Sequence, residues 1–124
     1  MNKYVIMLVM LFTMNVGMFA EDNNVTETES FEKYDFKVNN RKLANYLDLS
    51  SDQMEVVEAI TDELSKDMEF AFYENTADVR DRVVANTVQK NIKHMHFILT
   101  DEQYKKYLKV FNATLANKGI KVEQ

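Results

Sequence analysis

The chain contains no cysteine and no proline, and its 124 residues include only two glycines, Gly17 and Gly119. Without cysteine there is no disulfide framework, no thiolate metal site, no thiol nucleophile and no lipid anchor of the type attached to cysteine. Any stable fold must come from packing alone. Without proline, and with so little glycine, almost nothing in the chain is built to interrupt a helix. Glycine-rich phosphate loops and nucleophile elbows are missing as well. No strand alternation competes with the helical pattern, and neither an enzymatic activity nor a cofactor is expected.

What is present begins with Lys3, an apolar run from Tyr4 to Phe12, and a softer stretch ending at Ala20 before Glu21-Asp22. This is the layout of a signal peptide over residues 1–20, with cleavage after Ala20. Thr13 and Asn15 interrupt the run well short of the roughly 20 apolar residues that a membrane span needs. The mature product is then expected to be exported, not membrane-spanning, and about 104 residues long, enough for one domain. Five of the eight methionines leave with the signal peptide, which removes the material for a methionine-rich copper site.

Charge divides the remainder. From Glu21 to Thr76 there are 15 acids and 5 bases, and from Ala77 to Gln124 there are 5 acids and 9 bases. The two halves attract each other, within one chain or between two, and nucleic acid is not the expected partner.

Residues 21–37 read as an acidic, mostly disordered leader with an aromatic patch, Phe31, Tyr34 and Phe36 together with Val38 just beyond, that is able to lie on a neighbouring surface without being regular. A single helical domain then covers 38–124. Asn39 or Asn40 caps a short helix carrying Leu43, Tyr46 and Leu47, which stops near Asp48. A second helix runs from Ser51 to about Glu74, with Met54, Val57, Ile60, Leu64, Met68, Ala71 and Phe72 on one stripe. Asn75-Thr76-Ala77-Asp78 breaks it. A third helix spans roughly 78–98 with Val84, Val88, Ile92, Met95 and Leu99, and a fourth presents Tyr104, Tyr107, Leu108, Phe111 and Leu115. On that last helix Asp101 and Glu102 stand four residues before Lys105 and Lys106, a spacing that suits ion pairs. Gly119 is placed to end it in a Schellman motif, with Leu115 against Ile120. The fold class is therefore all-α, a hairpin or bundle of about four helices, one short and three longer.

The strongest internal signal is a repeat. Leu49-Ser50-Ser51-Asp52-Gln53 returns 50 residues later as Leu99-Thr100-Asp101-Glu102-Gln103. With Ser50 and Thr100 as N-caps, Gln53 and Gln103 fall at the third helical position and complete two capping boxes. Leu49 against Met54, and Leu99 against Tyr104, then make hydrophobic staples. Losing either cap hydroxyl is expected to cost about 1 kcal/mol.

Paired L-[ST]-x-x-Q motifs in a small exported helical chain resemble the LTxxQ family of Spy- and CpxP-like proteins, over roughly Val38 to Gly119. The resemblance implies a periplasmic helical hairpin that dimerises into a curved cradle. It implies ATP-independent chaperone activity or modulation of envelope-stress signalling, and in related members metal binding. Two features depart from the family pattern: Ser50 stands where threonine is usual, and the mature chain is acidic where Spy-like cradles are basic.

Val56, Phe70, Tyr73 and Phe97 lie off the core stripes and are the candidate surface for an unfolded or partner polypeptide. Val83 also lies off the stripe but reads as the edge of a wide one. His94 and His96 are the candidate metal ligands, yet two residues apart on a helix they point to nearly opposite sides, so no metal site is assigned. The leading expectation is a polypeptide-binding chaperone or stress modulator acting as a homodimer. The alternatives are a metal-binding or sensor accessory protein of the envelope, and a structural protein with one dedicated partner.

Overall fold

Four helices follow a single 3-10 turn in the computed structural model, which describes residues 31–122. The expected signal peptide and the acidic residues 21–30 lie outside that range. The turn is Phe31–Tyr34, and the helices are α1 (Asn40–Leu47), α2 (Ser51–Tyr73), α3 (Ala77–Ile98) and α4 (Asp101–Asn117). Among the described residues there is no strand, and no helix is long and apolar enough to cross a membrane.

α2 and α3 form an antiparallel hairpin, which the cross-helix bonds register. Arg80 reaches the Ala71 carbonyl near the turn, Lys90 meets Glu63 and Asp67 in the middle, and Gln53 reaches the Ile98 carbonyl at the far end. α1 packs on α2 and α4, and α4 packs back on α3. One core runs through these contacts, from Leu43 and Leu47 through Val57, Leu64, Met68, Val88 and Met95 to Tyr107, Phe111 and Leu115.

Helix ends follow from local chemistry. Asn39 caps α1 by accepting from the Lys42 N–H (3.1 Å). α1 stops at Asp48, which adopts the left-handed conformation (φ 61°, ψ 52°) and is the only described non-glycine residue at positive φ. α4 closes on Gly119 (φ 78°): Ile120 N–H donates to the Leu115 carbonyl (2.9 Å) and Gly119 N–H to that of Ala116 (3.1 Å). These are the two bonds of a Schellman motif, and Leu115 and Ile120 are both buried beside it.

Four features differ from the sequence expectation. Residues 31–38, read as an irregular aromatic patch able to lie on a neighbouring surface, do lie on the helical body, but as a strap with a 3-10 turn in which Tyr34 and Phe36 are 1% and 0% exposed. Their rings need cover, and Phe72 and Phe111 supply it. Met54, placed on the core stripe and opposite Leu49 in a staple, is 45% exposed, because at the start of α2 the inward position belongs to Val57. On α4 the buried face is centred one step further round, on Tyr107, Val110, Phe111 and Thr114, leaving Tyr104 and Leu108 half-buried. Lys106 does not pair with Glu102 but lies over the Tyr46 ring (4.9 Å), whose hydroxyl donates to the Lys106 carbonyl (3.3 Å).

Candidate functional site

Each capping box is complete. Ser50 Oγ accepts from Gln53 N–H (3.2 Å) while Gln53 Oε1 accepts from Ser50 N–H (3.0 Å). Thr100 and Gln103 repeat this at 3.2 Å and 2.9 Å. Chain folding then brings the two boxes face to face. Gln53 Nε2 donates to Gln103 Oε1 (2.8 Å), and Gln103 Nε2 donates to Gln53 Oε1 (3.2 Å). Gln53 Nε2 also donates to the Ile98 carbonyl (3.0 Å), and Gln103 Nε2 to the carbonyls of Leu47 (3.1 Å) and Asp48 (3.2 Å).

This arrangement has a local two-fold logic. Each side-chain oxygen accepts from its own cap and from the opposite amide, and each amide nitrogen also donates to the chain just before the opposite cap. Both glutamines use their full donor and acceptor capacity. The clasp ties the α1–α2 corner to the α3–α4 corner with neutral groups. The spacing of the repeat marks the two caps, but nothing in it announces that the glutamines meet. The one available signal was glutamine at both third positions, since glutamate would serve a capping box equally well and could not donate.

The candidate surface residues are exposed but do not form one patch. Val56 stands near the clasp end of α2, while Phe70 and Tyr73 stand near the α2–α3 turn, about 21 Å further along a helix that rises 1.5 Å per residue. Phe97, at 89% exposure, is near the clasp end of α3. Phe70 (55% exposed) borders a shallow hollow between α2 and α3 that is completed by Asp67, Val83, Asn86, Thr87 and Lys90. Tyr73 stacks on Phe31 (5.4 Å between centroids) and packs edge-on against Phe72, so it belongs to the strap contact as well as to the surface.

The histidines diverge. His94 Nδ1 lies 3.5 Å from a Glu63 carboxylate oxygen across the hairpin, whereas His96 stacks on Tyr104 of α4 (4.1 Å). Among the described residues no group of three or more potential ligands gathers to hold a metal. Lys90 bridges Asp67 (2.8 Å) and Glu63 (3.2 Å), and these carboxylates, Asp67 first, hold its ammonium above the ordinary lysine range. The cluster is solvated and worth little in stability.

At the other end of the hairpin, Arg80 closes the turn. Its Nε donates to the Ala71 carbonyl (3.1 Å) and its Nη2 to those of Phe72 (3.0 Å) and Asn75 (2.9 Å), so a cation serves two carbonyls in the last turn of α2 and one in the loop that follows. α3 starts without a side-chain cap: the Thr76 hydroxyl turns to the Asp78 carboxylate instead, which holds Asp78 below the usual carboxylate range. Deeper in the core the Tyr107 hydroxyl donates to Asn91 Oδ1, and burial pushes the phenol pKa up.

Comparison with known proteins adds no relative: no family model matches the chain, and no curated protein or solved structure matches it. What fold and geometry define is an all-α, four-helix domain whose repeated motif is consumed in holding two helix corners together.

Proposed function

We propose that this chain is an exported, ATP-independent polypeptide-binding protein of the Spy/CpxP kind, working in the periplasm as a homodimer. The support is cumulative: a signal-peptide-like N-terminus, two L-[ST]-x-x-Q helix starts, and an exposed aromatic residue beside a charged hollow. The single observation that carries it is Phe70, 55% exposed beside the hollow that Asp67 and Lys90 flank. An apolar foothold beside a solvated ion pair suits weak, adaptable capture of unfolded segments, which need little shape specificity.

The test is suppression of aggregation. The mature chain, added at equimolar dose to several denatured clients, should slow their light scattering, and Phe70→Ser should weaken that effect with helicity unchanged. Failure to slow any client would remove the reading. Phe70 is a cleaner probe than Tyr73, because replacing Tyr73 also takes a stacking partner from Phe31. Sedimentation of the mature chain tests the dimer, which predicts twice the monomer mass.

A further inference from the structure

The strap is held on the helical body mainly by inserted rings. Phe31 stacks on Tyr73 and packs against Phe72 (5.7 Å), Tyr34 lies against Phe72 (5.4 Å) and under the Arg80 guanidinium (5.8 Å), and Phe36 meets Phe111 edge-on (6.4 Å). One turn of 3-10 helix, with Asp35 N–H on the Glu32 carbonyl (3.3 Å), sets the spacing of these rings. Lys118 clamps the outside: its Nζ donates to the Glu32 carbonyl (3.0 Å) and lies over the Phe36 ring (5.1 Å). Burial holds the Lys118 ammonium below the ordinary lysine range, an effect that the charges of Asp35 and Glu32 offset only in part.

The strap therefore lies in a groove with its own chemistry, assembled from three helices: Phe72 and Tyr73 of α2 and Phe111 of α4 meet its rings, and Arg80 of α3 and Lys118, just past the end of α4, lie over them. It presents aromatic faces and two cations. Its present occupant is a short segment, one 3-10 turn and the residues just after it, with aromatic residues at one, four and six, acids at two and five, and lysines at three and seven. Side-chain insertion without strand pairing is the kind of contact that an external peptide can reproduce.

We infer that this groove is a binding site for short, aromatic-rich polypeptide segments that carry charges of both signs, and that the strap is its resident occupant. A segment in trans enters when the strap leaves. The strap thereby sets the apparent affinity, since a site that is open only part of the time binds more weakly by that fraction. The inference rests on the polypeptide-binding reading and extends it to a second place on the molecule and a defined class of sequence.

The experiment uses a fluorescein-labelled peptide of residues 31–40 and the full mature chain, read by fluorescence anisotropy. A Tyr34→Ser/Phe36→Ser chain should bind the peptide about tenfold more tightly than the wild-type chain, because its own strap competes poorly. A peptide carrying the same two serines should bind neither. If the variant chain has lost helicity, adding the wild-type peptide should restore it, and circular dichroism reads that directly. A helical variant that binds no better than the wild type overturns the inference, as does an unfolded variant that the peptide fails to rescue. The assay contains no denatured client, so it fails or succeeds separately from the aggregation test. Peptide exchange without client protection would leave the groove and remove the proposed function, and the reverse result would do the opposite.

Discussion

The two ends of the α2–α3 hairpin are held by different physics. At the clasp end, Gln53 and Gln103 join two corners through neutral amides whose donors and acceptors are all used. At the strap end, rings from Phe31, Tyr34 and Phe36 are pressed against Phe72, Tyr73 and Phe111, with Arg80 and Lys118 covering them. A saturated hydrogen-bond network accepts one geometry and excludes substitutes. Ring packing tolerates many partners of similar size. The first end is suited to fixing helix directions, and the second to being exchanged.

The largest effect is expected where the strap end meets the body. Phe111 is fully buried, stacks on Tyr107 (5.3 Å) and receives Phe36. Phe111→Ala should cost about 3–5 kcal/mol in chemical denaturation, a large part of the stability of any domain this size. A loss below about 1 kcal/mol would mean that the groove floor collapses easily, and the contrast between a rigid body and a removable strap would fail.

Next comes the clasp, where one substitution separates capping from clasping. Gln103→Glu keeps the acceptor for Thr100 N–H, since glutamate is an ordinary capping-box residue. It removes every bond made by Gln103 Nε2, to Gln53, Leu47 and Asp48, and sets a carboxylate against their oxygens. The expected loss is about 2–3 kcal/mol at neutral pH. Were the motif only two independent caps, the change would be nearly silent. A double-mutant cycle with Gln53→Ala should show coupling of about 1 kcal/mol or more.

These cases show where the sequence could be read and where it could not. The helix starts at Ser50 and Thr100 and the stop at Gly119 were legible because the interactions are local, closed within six residues and carried by residue type. The all-α class followed from stripes at three and four with nothing to interrupt them. The Gln53–Gln103 contact was not legible: it depends on two corners meeting across 50 residues of chain. The aromatic patch was legible as a contact surface, but the full burial of Tyr34 and Phe36 was not, for the same reason: their cover lies on α2 and α4. Met54 erred the other way, an apolar residue at helical spacing that no partner helix covers.

A smaller effect is expected at the turn. Arg80 serves three carbonyls through a planar fork, and lysine, a single point on a flexible stem, cannot reproduce it. Arg80→Lys should cost about 1–2 kcal/mol. It should also speed amide exchange in the strap more than at the clasp, because the guanidinium covers Tyr34 as well. Equal acceleration at both ends would erase the distinction between them.

The smallest effect comes from Asp48, which ends α1 in the left-handed conformation that Gly119 adopts after α4. A side chain there is strained, and glycine relieves that strain while adding freedom to the unfolded chain. Asp48→Gly should therefore stabilise the domain by only about 0.5 kcal/mol, seen as a small rise in denaturation midpoint. The strain persists because the surroundings hold it: Leu49 N–H donates to the Ala44 carbonyl (3.0 Å), and the Asp48 carbonyl accepts from Gln103 (3.2 Å). If the clasp imposes this conformation, the gain should shrink in a Gln103→Glu background, where the junction can relax. An undiminished gain would show that the α1 stop is set by its own local bonds, and that the clasp aims the longer helices without reaching back into α1.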